Sequence, residues 1–331
     1  MEYLTNLIME MRNMARAINK MLMIVDGSNL AHRAYNKFEG LKDSQKRPVN
    51  LIYGFLRILQ SYIARFRPTY VVVTFDTKES KESNFRKDLL GSYKVNRKDN
   101  IRMDYEDFNA QSRVVKRALK YLNIPVIWDS KGLGHESDDY IGWLAKFHRD
   151  CKGKVIILSS DKDFCQLIDS DIKVFNPFKN QLVNKANCRE IMGYSPAECV
   201  DYLCLLGDKS DDIPGYRGIG EVKARKFLDQ FGSIQAFLDD PEAEFPGIDR
   251  DGLTDLYARN TELIDIDVAL AKHPLKRVPI IYHKKDTLSI KKLGEVYKKY
   301  GFTSFTKPEF ITPFKTLKQW KEDLILQAAQ G

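Results

Sequence analysis

The sequence predicts an α/β fold, with a mostly parallel central sheet flanked by helices and a mostly helical region after it. Two observations carry this. Three short apolar runs, Met21 to Asp26, Tyr70 to Asp76 and Lys154 to Asp161, are continuous rather than alternating, which is how strands buried on both faces read. Helical patterns lie between them, and alternation of strand and helix calls for a parallel sheet covered on both sides.

The elements follow in order. Residues 1–20 form an irregular helix-like stretch containing Glu2, Glu10, Arg12, Arg16 and Lys20, with no continuous apolar segment. It reads as a helical extension and not as a signal or transit peptide. The first strand follows, then a helix over Leu51 to Phe66 and the second strand. A fourth strand is expected over Ile124 to Asp129, with Pro125 near its start. Helices are expected over Phe108 to Leu122 and Asp138 to His148. From about Asn187 the strand signal fades, and helices are expected over Pro196 to Leu206, Glu221 to Phe231 and Leu253 to Leu263. The chain therefore divides into an α/β core over 21–185, a helical region over 186–285 and a lysine-rich tail over 286–331.

The 331 residues are 43% hydrophobic and 30% charged, enough for a packed core and too apolar for wholesale disorder. A mean hydropathy of −0.40, with no apolar run of roughly eighteen residues, argues against a membrane span. Lysine and arginine outnumber aspartate and glutamate 53 to 45, a balance compatible with nucleic acid but equally with a solvated basic face. Five cysteines form an odd set without a C-x-x-C pair, so a reducing compartment is expected and a zinc knuckle is not.

The acids are placed more tellingly than they are numbered. The three clear strands finish on Asp26, Asp76 and Asp161, with Asp163 two residues on. In an open parallel sheet, ligands bind at the carboxyl ends of the strands. Glu136, Asp138 and Asp139 follow the fourth strand and open a helix, where acids are also favourable simply as caps. Singly, each strand-end aspartate is an ordinary loop acid. Together they crowd one edge: two unit charges ~4 Å apart repel by about 4 kcal/mol at an effective dielectric of 20. Such an edge must protonate or hold hard divalent cations, Mg²⁺ or Mn²⁺ rather than zinc. Two such ions serve phosphoryl displacement.

Two further segments point to nucleic acid. Pro214 to Gly220, entering a helix at Glu221, looks like the turn of a helix–hairpin–helix element over 208–231, its glycines letting the backbone approach phosphates. Lys223, Arg225 and Lys226 follow it. Lys78 to Met103 is long and polar, with basic residues interleaved with Phe85 and Tyr93, a composition that suits a single strand as well as an exposed loop.

Read together, these motifs resemble the 5′-nuclease superfamily of flap endonucleases and 5′–3′ exonucleases, in its bacterial and bacteriophage branch. That group includes the 5′-nuclease domain of bacterial DNA polymerase I. The matching residues are Val25-Asp26-Gly27-Ser28-Asn29 with Arg33-Ala34-Tyr35, Tyr53-Gly54-Phe55-Leu56, Phe75-Asp76, Tyr93-Lys94 with Arg97, and Glu136-Ser137-Asp138-Asp139. Asp161-Lys162-Asp163, Gly207-Asp208, Ser210 to Gly215 and Gly218-Ile219-Gly220 complete them in the family's order.

The resemblance implies two metal clusters: Asp26, Asp76, Glu136, Asp138 and Asp139 for one Mg²⁺, and Asp161, Asp163, Asp208 and Asp211 for the other, with Mn²⁺ able to substitute. It implies a helical arch over about 78–115, with Lys94 and Arg97 as the catalytic cations at the scissile phosphate. Arg33, Tyr35, Arg86, Tyr93, Gly215, Gly218, Gly220 and Lys223 would contact DNA, and hairpin carbonyls would bind K⁺ in some members. Ser137 and Asp212 depart from the usual alanine and asparagine. The implied substrate is DNA with a 5′ flap or 5′ end, including RNA–DNA hybrids at primers, in replication or repair. A monomer working with replication proteins in a bacterial cytoplasm is expected, as a stand-alone, phage-type enzyme. Two competing readings remain, a catalytically silent DNA-binding protein of this fold and a PIN-like ribonuclease. The full acid set speaks against the first, and the Gly-Ile-Gly hairpin and long arch against the second.

Overall fold

The computed structural model describes residues 20–77, 82, 84–96, 104–129, 132–275, 278–281 and 288–318. The predicted 1–20 extension therefore lies outside the described residues except for Lys20. In chain order, β1 (Met21–Asp26) leads into α1 (Gly27–Lys37) and α2 (Asn50–Phe66), followed by β2 (Tyr70–Phe75), α3 (Phe85–Leu89), α4 (Tyr105–Tyr121) and β3 (Val126–Trp128). Then come α5 (Ser137–Asp150), β4 (Lys154–Leu158), β5 (Ile172–Asn176) and β6 (Gln181–Val183). The helical region holds α6 (Cys188–Met192), α7 (Cys199–Leu206), the short pair β7 (Gly207–Asp208) and β8 (Ile213–Pro214), α8 (Glu221–Phe231), α9 (Ile234–Asp239), α10 (Arg250–Ile264) and α11 (Ile266–Lys272). β9 (Ile280–Ile281), α12 (Ile290–Lys299) and α13 (Pro308–Lys315) complete the described chain.

The main sheet runs β6-β5-β4-β1-β2-β3-β9. Its five inner strands are parallel, and the two edge strands, β6 and β9, pair antiparallel. Alternate residues of β1 serve two cores: Leu22 and Ile24 face α5 and the helical region, whereas Met23 and Val25 face α2 and α4. All four are 0% exposed, which is why the run is apolar without alternation.

Three features were not legible beforehand. β5 and β6 extend the sheet past β4. β9, at the end of the helical region, returns to pair with β3. The expected basic tail is, over its described part, folded onto the α/β core: Leu293, Tyr297, Phe302, Phe305, Phe310 and Phe314 are buried in the α2–α4 core. Of the expected arch, residues 78–81, 83 and 97–103 lie outside the described residues. The rest is α3, a turn over 91–96 and the start of α4.

Candidate active site: carboxylates at the strand ends

The site begins where β1 stops. Asp26 caps α1, accepting from the Asn29 N–H at 3.0 Å, and Ser159 Oγ donates to its other oxygen at 2.7 Å. Only glycine fits next: a Cβ on Gly27 would meet the Thr74 carbonyl oxygen at 2.5 Å, so α1 starts hard against β2. Asp76 lies just past β2, its N–H donating to Ser28 Oγ at 2.9 Å while its Oδ1 accepts from the Ser137 N–H at 3.0 Å. Those two bonds tie the end of β2 to α1 and to the start of α5, which carries Asp138 and Asp139. Beyond β4, the Asp161 N–H donates to Ser159 Oγ at 3.1 Å and the Asp163 N–H to Asp161 Oδ1 at 3.0 Å. Asp208 in β7 accepts from both the N–H and Oγ of Ser210.

These acids feel one another. Burial, with the charges of Asp76 and Asp161, pushes Asp26 up to about 7. Burial, then Asp161, Asp26 and Asp76, raises Asp138 well above the carboxylate range. Asp163 is raised the same way by burial, Asp161 and Asp208, and Asp161 by burial with Asp211 and Asp208. Asp163 Oδ1 is buried without a hydrogen-bond partner. Asp208 goes the other way: against burial, Ser210 and the Lys162 ammonium 3.2 Å away hold it low.

Among the described residues, no three His, Cys, Asp or Glu side chains are set to hold an ion as they stand. The donor set nevertheless fits hard divalent cations: all-oxygen, crowded, with burial and neighbouring carboxylates favouring protonation of Asp26, Asp138, Asp161 and Asp163, and one carboxylate oxygen left without a partner. Asp26, Asp76 and Asp138, with the expected ligands Glu136 on the Lys94 ammonium and Asp139 on Arg86 beside them, would hold one ion, and Asp161, Asp163, Asp208 and Asp211 the other.

Lys94 enters this field from the 91–96 turn. Its Nζ lies 2.7 and 2.8 Å from the two Glu136 oxygens and 3.3 Å from Asp211 Oδ2. Despite burial, Glu136, Tyr93 and Asp211 keep it protonated, well above the usual lysine value.

Three of the expected site residues have partners inside the protein. Arg86, expected at DNA, is 3% exposed, and its guanidinium donates to both Asp139 oxygens at 2.9 and 2.7 Å and to the Leu263 carbonyl at 2.9 Å. Asp139, expected as a metal ligand, is therefore occupied by Arg86 and by the Glu136 N–H at 2.9 Å. Against burial, Arg86 and His135 hold its carboxyl below the usual range. Tyr93, expected to meet DNA, is buried and donates to Glu136 Oε2 at 2.8 Å. The pattern of basic and aromatic residues gave no sign that the partners lay inside.

Other predicted residues lie further out. The Arg33 guanidinium sits 4.3 Å from the centre of the Phe178 ring, and Tyr35 donates to Asp107 at 3.2 Å. Gly215 packs backbone on backbone, since a Cβ there would meet the Leu206 carbonyl at 2.3 Å. Gly218, Gly220 and Lys223 are exposed around the start of α8. Arg97 lies outside the described residues. Residues that sequence reasoning missed include Ser28 and Ser159, which orient the acids, and Asn96, which bonds Asp212. Ser28 and Ser159 stand beside strand-end acids, a signal that could have found them.

The chain matches two family models: 5′-3′ exonuclease, N-terminal resolvase-like domain, over residues 21–193, and 5′-3′ exonuclease, C-terminal SAM fold, over 194–271. It is 34% identical over 260 residues to the 5′-3′ exonuclease of Aquifex aeolicus, covering 78% of this chain and 86% of that one. With the thermostable DNA polymerase I of Thermus aquaticus it shares 34% identity over 227 residues, covering 69% of this chain and 26% of the polymerase. Its fold is similar to that of a bacteriophage T5 flap endonuclease variant solved with DNA and metal ions. The TM-score is 0.63 at 20% identity, covering 84% of this chain and 100% of that one.

Proposed function

The chain belongs to the 5′–3′ exonuclease family, and from that premise we propose that it is a Mg²⁺-dependent 5′ nuclease acting on DNA with 5′ flaps or 5′ ends, RNA primers included. The observation that carries the reading is the convergence of Asp26, Asp76, Asp138, Asp161, Asp163, Asp208 and Asp211 on one sheet edge, with the Lys94 ammonium among them.

When bound, two divalent ions supply Lewis acidity toward the phosphate and lower the pKa of water. The chain's own residues do the rest. Ser159, Ser210 and the Ser137 N–H hold the Asp26, Asp208 and Asp76 carboxylates in orientation, and Ser28 anchors the Asp76 backbone. Lys94 brings a fixed positive charge to where negative charge grows on the scissile phosphate, worth more in a dry site than in water. Water forms the new P–O bond as the bond to the 3′ oxygen breaks, leaving a 5′-phosphate and a 3′-hydroxyl. The segment entering α8, where Gly218, Gly220 and Lys223 are exposed, would hold duplex phosphates as a helix–hairpin–helix-type grip, with K⁺ at its carbonyls. Arg97 would add a second cation. The enzyme would act as a monomer beside replication proteins in the cytoplasm. Among the described residues, no helix is long and apolar enough to cross a membrane.

The test is a 5′-flap duplex labelled at the flap end and a matched unstructured RNA, each with Mg²⁺ and with EDTA. Mg²⁺-dependent release of a defined flap fragment, with the RNA largely spared, supports the reading. Tight flap binding with no cleavage in Mg²⁺ or Mn²⁺ points to a silent binder, and preferential RNA cleavage to a PIN-like ribonuclease.

A further inference from the structure

The 91–96 turn, which carries Lys94, is fastened across the chain to the Asp211–Asp212 turn. The Lys94 N–H donates to the Asp211 carbonyl at 2.9 Å. Two residues on, Asp212 takes both donors of Asn96: its N–H at 2.7 Å and its Nδ2 at 3.0 Å. Lys94 and Asp212 both sit at φ 57°, in the left-handed region that residues with a Cβ enter at a cost. A turn with Lys94 in that conformation keeps it only if neighbouring contacts over-determine it. The Asp211 carbonyl supplies one restraint and the Asp212 carboxylate the other, on either side of the lysine's peptide unit.

We infer that Asp212 is a positioning residue for Lys94: through Asn96 it fixes the turn from which the ammonium is presented. Asp212 need not touch substrate or metal to do this. Its carboxylate is matched two-for-two to the donors of a residue 116 positions away in sequence. It also joins the loop between β7 and β8, which carries Asp208 and Asp211, to the base of the expected arch. The lysine and the second carboxylate group are thereby held in one frame. The inference rests on the proposed function, in which Lys94 meets the scissile phosphate.

Asp212→Gly removes the carboxylate at a position where glycine accepts the left-handed conformation without strain, so the fold is kept. Asn96→Ala breaks the same contact from the other side. Single-turnover cleavage of a 5′-flap duplex in Mg²⁺ should slow about tenfold or more in each, with the Kd measured in Ca²⁺ changed by less than about threefold. The double variant should be no slower than either single one. Asp212→Asn, which keeps one acceptor for the Asn96 N–H, should recover most of the rate.

A merely structural acid would not pass one further arm. In a Lys94→Ala background, Asp212→Gly should produce no additional slowing. Amide hydrogen exchange at Lys94 and Asn96 should quicken about tenfold in Asp212→Gly. A rate loss that persists without Lys94, a change in Kd alone, or unchanged exchange would each overturn the inference. Absence of cleavage by the unmodified chain would instead overturn the functional reading, and the wild-type arm shows that by itself.

Discussion

Arg86 and Asp139, 53 residues apart in sequence, form a two-bond ion pair inside the molecule, with side chains 4% and 0% exposed. The Arg86 Nε also reaches the Leu263 carbonyl near the end of α10, so one guanidinium joins α3, the start of α5 and the helical region. Removing one partner of such a pair leaves the other charge buried and uncompensated, which costs about 3–5 kcal/mol. Arg86→Ala should therefore lower unfolding stability by that amount in urea titrations, and Arg86→Lys should recover only part of it, because an ammonium cannot reproduce the two parallel bonds. A loss below about 1 kcal/mol would show that the pair does not hold these elements together.

The strand-end acids set a pH dependence whose sign can be worked out. Asp26, Asp138, Asp161 and Asp163 hold protons more tightly folded than unfolded. Their contribution to stability is full below the unfolded value, near about 4, and is lost as pH rises through the folded values, about 7 for Asp26. In EDTA, stability should accordingly decline as pH rises across that window. Mg²⁺ should restore it, by more at the upper end than at the lower. Urea midpoints across pH, with and without Mg²⁺, measure this, and coincident flat profiles would remove the cluster as a cation site.

How far this arrangement was legible depends on whether the signal was local. β1, β2 and β4 announced themselves because each is a continuous apolar run buried on both faces, and their terminal aspartates followed from position alone. β9 has two residues and exists as a strand through β3, over 150 positions earlier, so no local pattern marks it. The lysines of α12 face outward and masked a buried set that includes Leu293 and Tyr297. Arg86 and Tyr93 are the opposite case, polar groups whose protein partners lie inside. A basic or aromatic residue in a polar stretch reads as exposed, and only tertiary structure reveals an Asp139 or a Glu136 waiting for it.

Asp163 separates chemistry from binding. Its Oδ1 is buried with no hydrogen-bond partner, and its neighbours Asp161 and Asp208 repel its charge. Asp163→Asn should abolish cleavage while leaving flap-DNA affinity largely intact, and in EDTA the variant should be more stable than the parent at neutral pH. Asp138→Asn should behave alike. Near-normal turnover in either would sink the metal assignment.

Lys94 holds its charge against burial because Glu136 and Asp211 surround it, so it is a preorganised cation. Lys94→Ala should reduce the single-turnover rate about a hundredfold and change the Kd for a flap duplex far less. An effect confined to Kd would make Lys94 a contact that positions DNA and no more.

Gly220 tests whether the turn before α8 meets phosphates. Nothing in the protein requires glycine there: its φ is −105°, a value any residue adopts, and a Cβ would meet no atom within 4 Å. Gly215 differs, because a Cβ would strike the Leu206 backbone at 2.3 Å. If backbone amides at the α8 N-terminus face a phosphate closely, a methyl group at Gly220 stands in the way. Gly220→Ala should then leave the Tm within about 2 °C of the parent and weaken duplex binding about tenfold, whereas Gly215→Ala should lower the Tm outright. Salt titration gives the independent check, since a lost phosphate contact reduces the slope of log Kd against log salt by about one. Unchanged affinity and slope in Gly220→Ala would place the duplex elsewhere on the molecule.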